Sequence, residues 1–384
     1  MVQQVSGSLG IAVIVAVYVG AGEPGQVASG IAPAFYLAGT ISTLAVLTAL
    51  VALVRRRSPG DPRRIPDPAT VQGESPVPTH ALLAPEAPLS QGYDAATRED
   101  PQFNEHFEHR FTTIDDLQMH YVVGGDGPQP IVLLHGFPET WYAYRPIMAD
   151  LLPGHTVIAI DLPGFGDSSG SVTSHDKATL ARYVHRLLNK LGYTSGVQLV
   201  AHDAGGAVAY ALVAQWREQF SGLLVMDFPV TGGELTYEQV KPLSYHFSFH
   251  SQEPLFEQLV AGRERLYLEY FYRANSPGVE EPVPSHAVDE YTRTYSRPGV
   301  MHNGSRLYQA WTQDEEDNRR FMSDPLALPV HFIAQARLFK GLFAGIRSAA
   351  PHATGAAVDS GHWMVHEAPD RVLHEIKAFF DYED

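Results

Sequence analysis

The sequence predicts an α/β fold with a mostly parallel sheet and an inserted helical cap, preceded by an N-terminal transmembrane segment. Three observations predict it. From about residue 106 short apolar runs alternate with helical stretches, as strands buried on both faces of a sheet require. Strand signals then vanish between 231 and about 324, where an aromatic, helical stretch intervenes, and afterwards resume. Residues 31–54 form a nearly uncharged run long enough to span a bilayer.

Residues 1–57 read as a membrane anchor of one or two transmembrane helices. A first apolar run covers 9–20, a turn follows at Glu23-Pro24-Gly25-Gln26, and the long run ends at Arg55-Arg56-Arg57. Basic residues stay on the cytoplasmic side, so the anchored chain is expected to hold its C-terminal bulk in the cytoplasm. Residues 58–105 are rich in Pro, Ser, Ala and acidic residues without periodicity, and read as a flexible linker.

The first part of the core is expected over 106–230. Strands at 109–114 and 117–123 form a hairpin around Asp115-Asp116, and a buried strand at 130–134 ends in His135-Gly136-Phe137-Pro138. A strand at 155–160 runs into the loop 161–168, a helix covers 178–191, and a strand at 222–226 closes with Asp227-Phe228-Pro229. The cap is expected over 231–325, broken by Ser276-Pro277-Gly278 and a proline-rich loop at 281–285. The second part of the core, 326–384, brings strands at 330–333 and 354–358 and a closing helix at 369–380.

Composition narrows the chemistry. The 384 residues carry 27 basic and 43 acidic side chains, a net charge of −16 that argues against nucleic acid as a partner. With no cysteine, disulfides, thiolate catalysis and cysteine-based zinc sites are excluded. The histidines show no metal-ligand spacing, so neither a metal nor another cofactor is expected.

The stretch 197–208 carries the strongest chemical signal. It reads as strand, tight turn and helix, with small residues Ala201 and Gly205 flanking a central Asp203. A nucleophile on so sharp a turn needs neighbours without bulk. A carboxylate attacks at neutral pH without losing a proton and leaves an ester, which suits substrates opened at an alkyl carbon: epoxides or alkyl halides. The plainer role for Asp203 is to cap the helix that follows.

Four motifs in this order carry a resemblance: His135-Gly136-Phe137-Pro138, residues 161–168, residues 201–206, and Gly361-His362-Trp363. From 106 to 384 the chain resembles the α/β-hydrolase-fold epoxide hydrolases, a His/Tyr-cap subgroup of them, and their relatives the haloalkane and haloacetate dehalogenases. The resemblance implies Asp203 as nucleophile, His362 as the base that activates water, and backbone N–H groups of Phe137 and Ala204 as an oxyanion hole. It offers two places for the acid that orients the histidine. The loop after 330–333 holds none, since no Asp or Glu lies between Asp324 and Asp359, so Asp227 takes the role. In the cap, Tyr308 and His246 are implied as donors to the opening oxygen, with Tyr245 the alternative to His246. His135, Pro138, Trp141 and Tyr245 are expected to line the substrate site.

Departures from the relatives bear on substrate. Haloacetate dehalogenases clamp a carboxylate with arginines at positions held here by Ala204 and Ala207, and haloalkane dehalogenases commonly place tryptophan after the nucleophile. The expectation is a hydrolase that opens a neutral, apolar epoxide to a vicinal diol. A haloalkane dehalogenase, or a membrane-anchored ligand-binding protein without turnover, is the alternative.

Overall fold

The structure, a computed structural model, describes residues 101–382. Its centre is an eight-stranded sheet in the order β1-β2-β4-β3-β5-β6-β7-β8. The strands are β1 (Phe107–Ile114), β2 (Leu117–Gly124), β3 (Gln129–Leu134), β4 (His155–Ile160), β5 (Val197–His202), β6 (Phe220–Met226), β7 (Val330–Gln335) and β8 (Thr354–Val358). The β1–β2 hairpin joins β4 antiparallel, and from β4 to β8 every pairing is parallel. Strand β1 is buried only at its two end residues, whereas β5 is buried throughout. Position in the sheet accounts for the contrast: β1 is an edge, and β5 has a strand on either side and helices above and below.

Helices α1 (Lys177–Lys190) and α2 (Ala204–Gln215) flank the central strands. Helix α2 is almost wholly buried because its sequence is Ala, Gly and Val-rich on every side. Between β6 and β7 the chain leaves the sheet and builds α3 (Tyr245–His250), α4 (Leu255–Val260), α5 (Glu264–Asn275), α6 (Ser285–Tyr295), α7 (Val300–Gln309) and α8 (Trp311–Met322). It returns through β7, α9 (Phe339–Ala349), β8 and α10 (Pro369–Phe379).

These helices lie over the carboxyl ends of the parallel strands and are stitched there by buried polar contacts. The Lys177 ammonium, at the start of α1, reaches both the Asp314 carboxylate and the Leu307 carbonyl at 2.6 Å. Tyr272 and Tyr295 donate to the Pro138 and Glu139 carbonyls, each at 2.9 Å. Arg293 forks onto Asp167 at 3.0 and 2.7 Å.

One expectation is corrected. Among the described residues no helix is long and apolar enough to cross a membrane, which goes against the reading of a membrane-anchored chain with its bulk in the cytoplasm. The segment that carried that reading, 1–57, lies outside the described residues, as does most of the linker. Its last residues fold into a helical turn, Pro101–Asn104.

Candidate active site

Four neighbouring strands deliver the chemistry from their carboxyl ends. The register aligns Leu134 with Ala201, His202 with Met226 and Met226 with Ile333, so the residues just beyond these strands emerge level. Ligands of open α/β sheets bind at such strand ends. Asp203 follows β5 in a left-handed turn, with φ of 47° and ψ of −124°. Glycine positions make this turn possible. A Cβ on Gly205 would fall 2.4 Å from the Leu134 and His135 carbonyl oxygens, and one on Gly136 would fall 2.6 Å from the Asp203 Cβ.

The Asp203 carboxylate is gripped from two sides. Phe137 N–H donates to Oδ1 at 2.9 Å, and His362 Nε2 stands 3.5 Å from Oδ2. Burial pushes this carboxyl up, but the His362 and His202 rings and the Phe137 N–H outweigh it and hold it well below the ordinary carboxylate range. Ala204 opens α2, where the first N–H groups have no acceptor within the helix.

His362 donates from Nδ1 to Asp227 Oδ2 at 2.7 Å. Burial depresses the imidazole, yet the flanking Asp203 and Asp227 carboxylates raise it to about 10. The loop around it is tied down by Glu367, which accepts from Gly361 N–H at 2.6 Å and Trp363 N–H at 2.9 Å. A cap serine, Ser276, accepts from the His362 N–H at 3.0 Å. Gly361 is needed there, because a Cβ would sit 2.2 Å from Ser276 Oγ.

On the cap side, the rings of His246 and Tyr308 lie 5.6 Å apart, centre to centre. Burial lowers His246 to about 3 and pushes the Tyr308 phenol well above its usual value, so both are neutral hydrogen-bond donors. Tyr245, the alternative to His246, is 41% exposed and meets Tyr270 edge-on on the outside of the cap. Pro138 sits in the loop beside Asp203, after a cis Phe137–Pro138 bond. His135 and Trp141 are not brought to the reacting groups. His135 is 1% exposed, with Nδ1 on the Gly136 carbonyl at 2.7 Å and Nε2 accepting from Leu162 N–H at 3.0 Å. Trp141 packs against Phe103, His109 and Tyr142.

Several residues at the site are absent from the sequence reading. Gln335, at the end of β7, donates to Asp227 from its side chain at 2.6 Å and from its N–H at 3.2 Å. His202 lies beneath Asp203, with Nδ1 2.7 Å from Glu139 Oε2 and Nε2 2.9 Å from the His362 carbonyl. Both partners only accept, so both ring nitrogens carry hydrogen and His202 is an imidazolium. Burial opposes that charge, and the Glu139 carboxylate outweighs it. The Glu in Phe137-Pro138-Glu139 and the His before Asp203 were visible signals, but their pairing spans 63 residues.

Among the described residues two groups could share a cation: His120, Asp161 and Asp167, and Glu253, Glu257 and His302. Arginines already neutralise carboxylates in both, Arg293 on Asp167 at 2.7 Å and Arg306 on Glu253 at 3.2 Å.

The comparisons with known proteins agree with this geometry. The family described as alpha/beta hydrolase fold matches residues 129–274. A soluble epoxide hydrolase of Corynebacterium sp. (strain C12) is 31% identical over 278 residues, covering 71% of this chain and 96% of that protein. A fluoroacetate dehalogenase of Burkholderia sp. is 27% identical over 294 residues, covering 72% and 94%. Among solved structures, Cfl2 of Burkholderia cenocepacia has a TM-score of 0.68 at 34% identity, covering 73% of this chain and 98% of that one. The epoxide hydrolase CorEH has a TM-score of 0.65 at 29% identity, covering 72% and 99%. The parallel sheet, the sharp turn after β5 and the histidine after β8 define the class, that of the α/β hydrolases. Within it, the chain belongs to the epoxide hydrolase family.

Proposed function

We propose that this protein hydrolyses a neutral, apolar epoxide to a vicinal diol in two steps. Asp203 attacks a ring carbon, the C–O bond breaks toward oxygen, and Tyr308 and His246 donate hydrogen bonds to that oxygen, which takes up the proton that His362 gives up. Forming the ester removes the Asp203 charge that helps hold the proton on His362. The imidazole, freed of its proton and steadied by Asp227, then takes one from water as hydroxide adds to the ester carbonyl. The N–H groups of Phe137 and Ala204 hold the carbonyl oxygen while the diol leaves. In this reading residues 106–230 and 326–384 form the hydrolase core, and 231–325 the cap that supplies the donors. Pro138 lines the pocket wall.

The observation that carries the proposal is the placing of one carboxylate between an imidazole 3.5 Å away and a backbone N–H at 2.9 Å. An apolar substrate is favoured by Ala204 and Ala207, which offer no charge to compensate a desolvated anion. The test is mass spectrometry of His362→Gln after incubation with a styrene-type epoxide. The expected result is an adduct of substrate mass on the Asp203 peptide, with diol from the unaltered enzyme only. Turnover with the adduct elsewhere overturns the mechanism. Halide release from haloalkanes without any diol identifies a dehalogenase instead, and epoxide binding with no diol across a panel identifies a binding protein.

A further inference from the structure

We propose that Ser244 is a positioning residue that fixes the tautomer of His246, so that the N–H lies on Nε2 and the opening oxygen meets a donor. The inference rests on the reading of Asp203 and the cap donors given above. Ser244 is the residue before α3, with the extended backbone, φ of −149° and ψ of 143°, of a helix N-cap. A serine there ordinarily turns its hydroxyl onto an N–H in the first helical turn. Ser244 makes no such bond, and its Oγ lies 2.7 Å from His246 Nδ1. The cap interaction is given up for the ring.

The choice of tautomer follows from what a neutral imidazole can do. It has one N–H and one lone pair, and the partner of one nitrogen decides which the other presents. His246 is 9% exposed, enclosed by Phe247, Phe271, His250 and Tyr308. Burial keeps it uncharged near neutral pH. A backbone carbonyl at Nδ1 would draw the hydrogen to that side and leave Nε2 a bare lone pair, which repels an alkoxide. A hydroxyl can donate instead. With Ser244 O–H pointing into the Nδ1 lone pair, Nε2–H is the donor, and Ser244 Oγ keeps lone pairs for solvent at the partly exposed end of the helix. No bond to His246 forms or breaks in the ring-opening step; its N–H only shortens its contact to the oxygen as charge develops there.

The experiment compares Ser244→Ala and Ser244→Thr in the full chain, each alone and with His246→Gln. Single-turnover ester formation and ester hydrolysis are followed separately, with thermal unfolding alongside. Ser244→Ala is expected to slow ester formation about tenfold, the size of a weakened donor to a developing oxyanion, and to leave ester hydrolysis unchanged. Ser244→Thr keeps the hydroxyl and is expected to restore the rate. In the His246→Gln background Ser244→Ala is expected to do nothing further. Nitrogen-detected NMR of the His246 ring should report Nε2–H in the unaltered protein and a mixture of tautomers in Ser244→Ala. Equal slowing with or without His246, slowing that tracks the melting temperature, or an Nδ1–H ring in the unaltered protein overturns the inference. If instead Asp203→Ala leaves diol formation intact, the reading of the whole site fails, and Ser244 falls with it for a different reason.

Discussion

Gln335 supplies hydrogen bonds to both carboxylate oxygens of Asp227, from its amide at 2.6 Å and from its backbone at 3.2 Å. The carboxylate bonded to His362 is thus held by the strand after its own, and Arg337 in turn donates to the Gln335 side-chain oxygen. Replacing Gln335 by Met keeps the backbone bond and the volume but removes the amide. A hydrogen bond to a charged group contributes about 1.5–3 kcal/mol, so Gln335→Met should lower the unfolding free energy by that order, bring down the urea midpoint and reduce turnover through a loosened His362. An unchanged midpoint would show that the amide does not support Asp227.

Asp227→Asn tests the orienting role directly. The amide keeps one accepting oxygen and carries no charge, so His362 loses its charged partner while Asp203 is untouched. Ester formation should persist, and ester hydrolysis should fall by roughly 10²–10⁴-fold, the scale of general-base catalysis. Stopped-flow traces should show a burst of bound ester followed by a slow phase.

The raised proton affinity of His362 makes stability depend on pH. Its folded value of about 10 exceeds the ordinary 6.5, so its contribution is complete below 6.5 and is lost as pH rises through about 10. Asp203→Asn removes one of the two carboxylates that raise it. The His362 titration followed by NMR should therefore move down, and the decline in stability between pH 6.5 and 10 should become shallower. A His362 titration unmoved in Asp203→Asn would contradict the geometry.

Lys177 and Asp314 are 7% and 9% exposed and 2.6 Å apart where α1 meets α8. Removing one member leaves the other charged and buried. Lys177→Met should cost about 3–5 kcal/mol in urea unfolding, whereas Lys177→Met with Asp314→Leu should recover most of the loss.

Gly136→Ala places a methyl 2.6 Å from the Asp203 Cβ, and the backbone of the turn cannot yield. Overpacking of this kind costs about 1–3 kcal/mol, and the displaced carboxylate should lose most of its activity. A diol assay and a melting curve on the same preparation separate the two effects.

Local pattern made the strands, the sharp turn at Asp203 and the helix-rich insertion legible. Strands β4 and β8 have the bounds expected for them, 155–160 and 354–358. Strand β7 runs two residues beyond the expected 330–333, since a glutamine read as loop is in fact paired and buried. That loop carries no acid, and nothing local marks Gln335, whose role depends on a contact 108 residues away. His202 with Glu139, and Lys177 with Asp314, were hidden for the same reason: each looks like a surface charge until the chain closes. His135 and Trp141 point away from the site, because the Gly136 and Leu162 backbone groups hold the one and Phe103 and His109 pack on the other.

Asp203 and Asp227, with φ of 47° and 46°, are bent into a region that glycine enters freely and other residues resist, at a cost of order 1–3 kcal/mol each. The substitution that would relax either bend is one that carries no carboxylate. Heat tolerance in this protein therefore cannot be improved at its two hardest-working turns without silencing them, and a longer-lived version has to be sought far away, along the buried seam of Lys177 and Asp314 or in the caps of its outer helices.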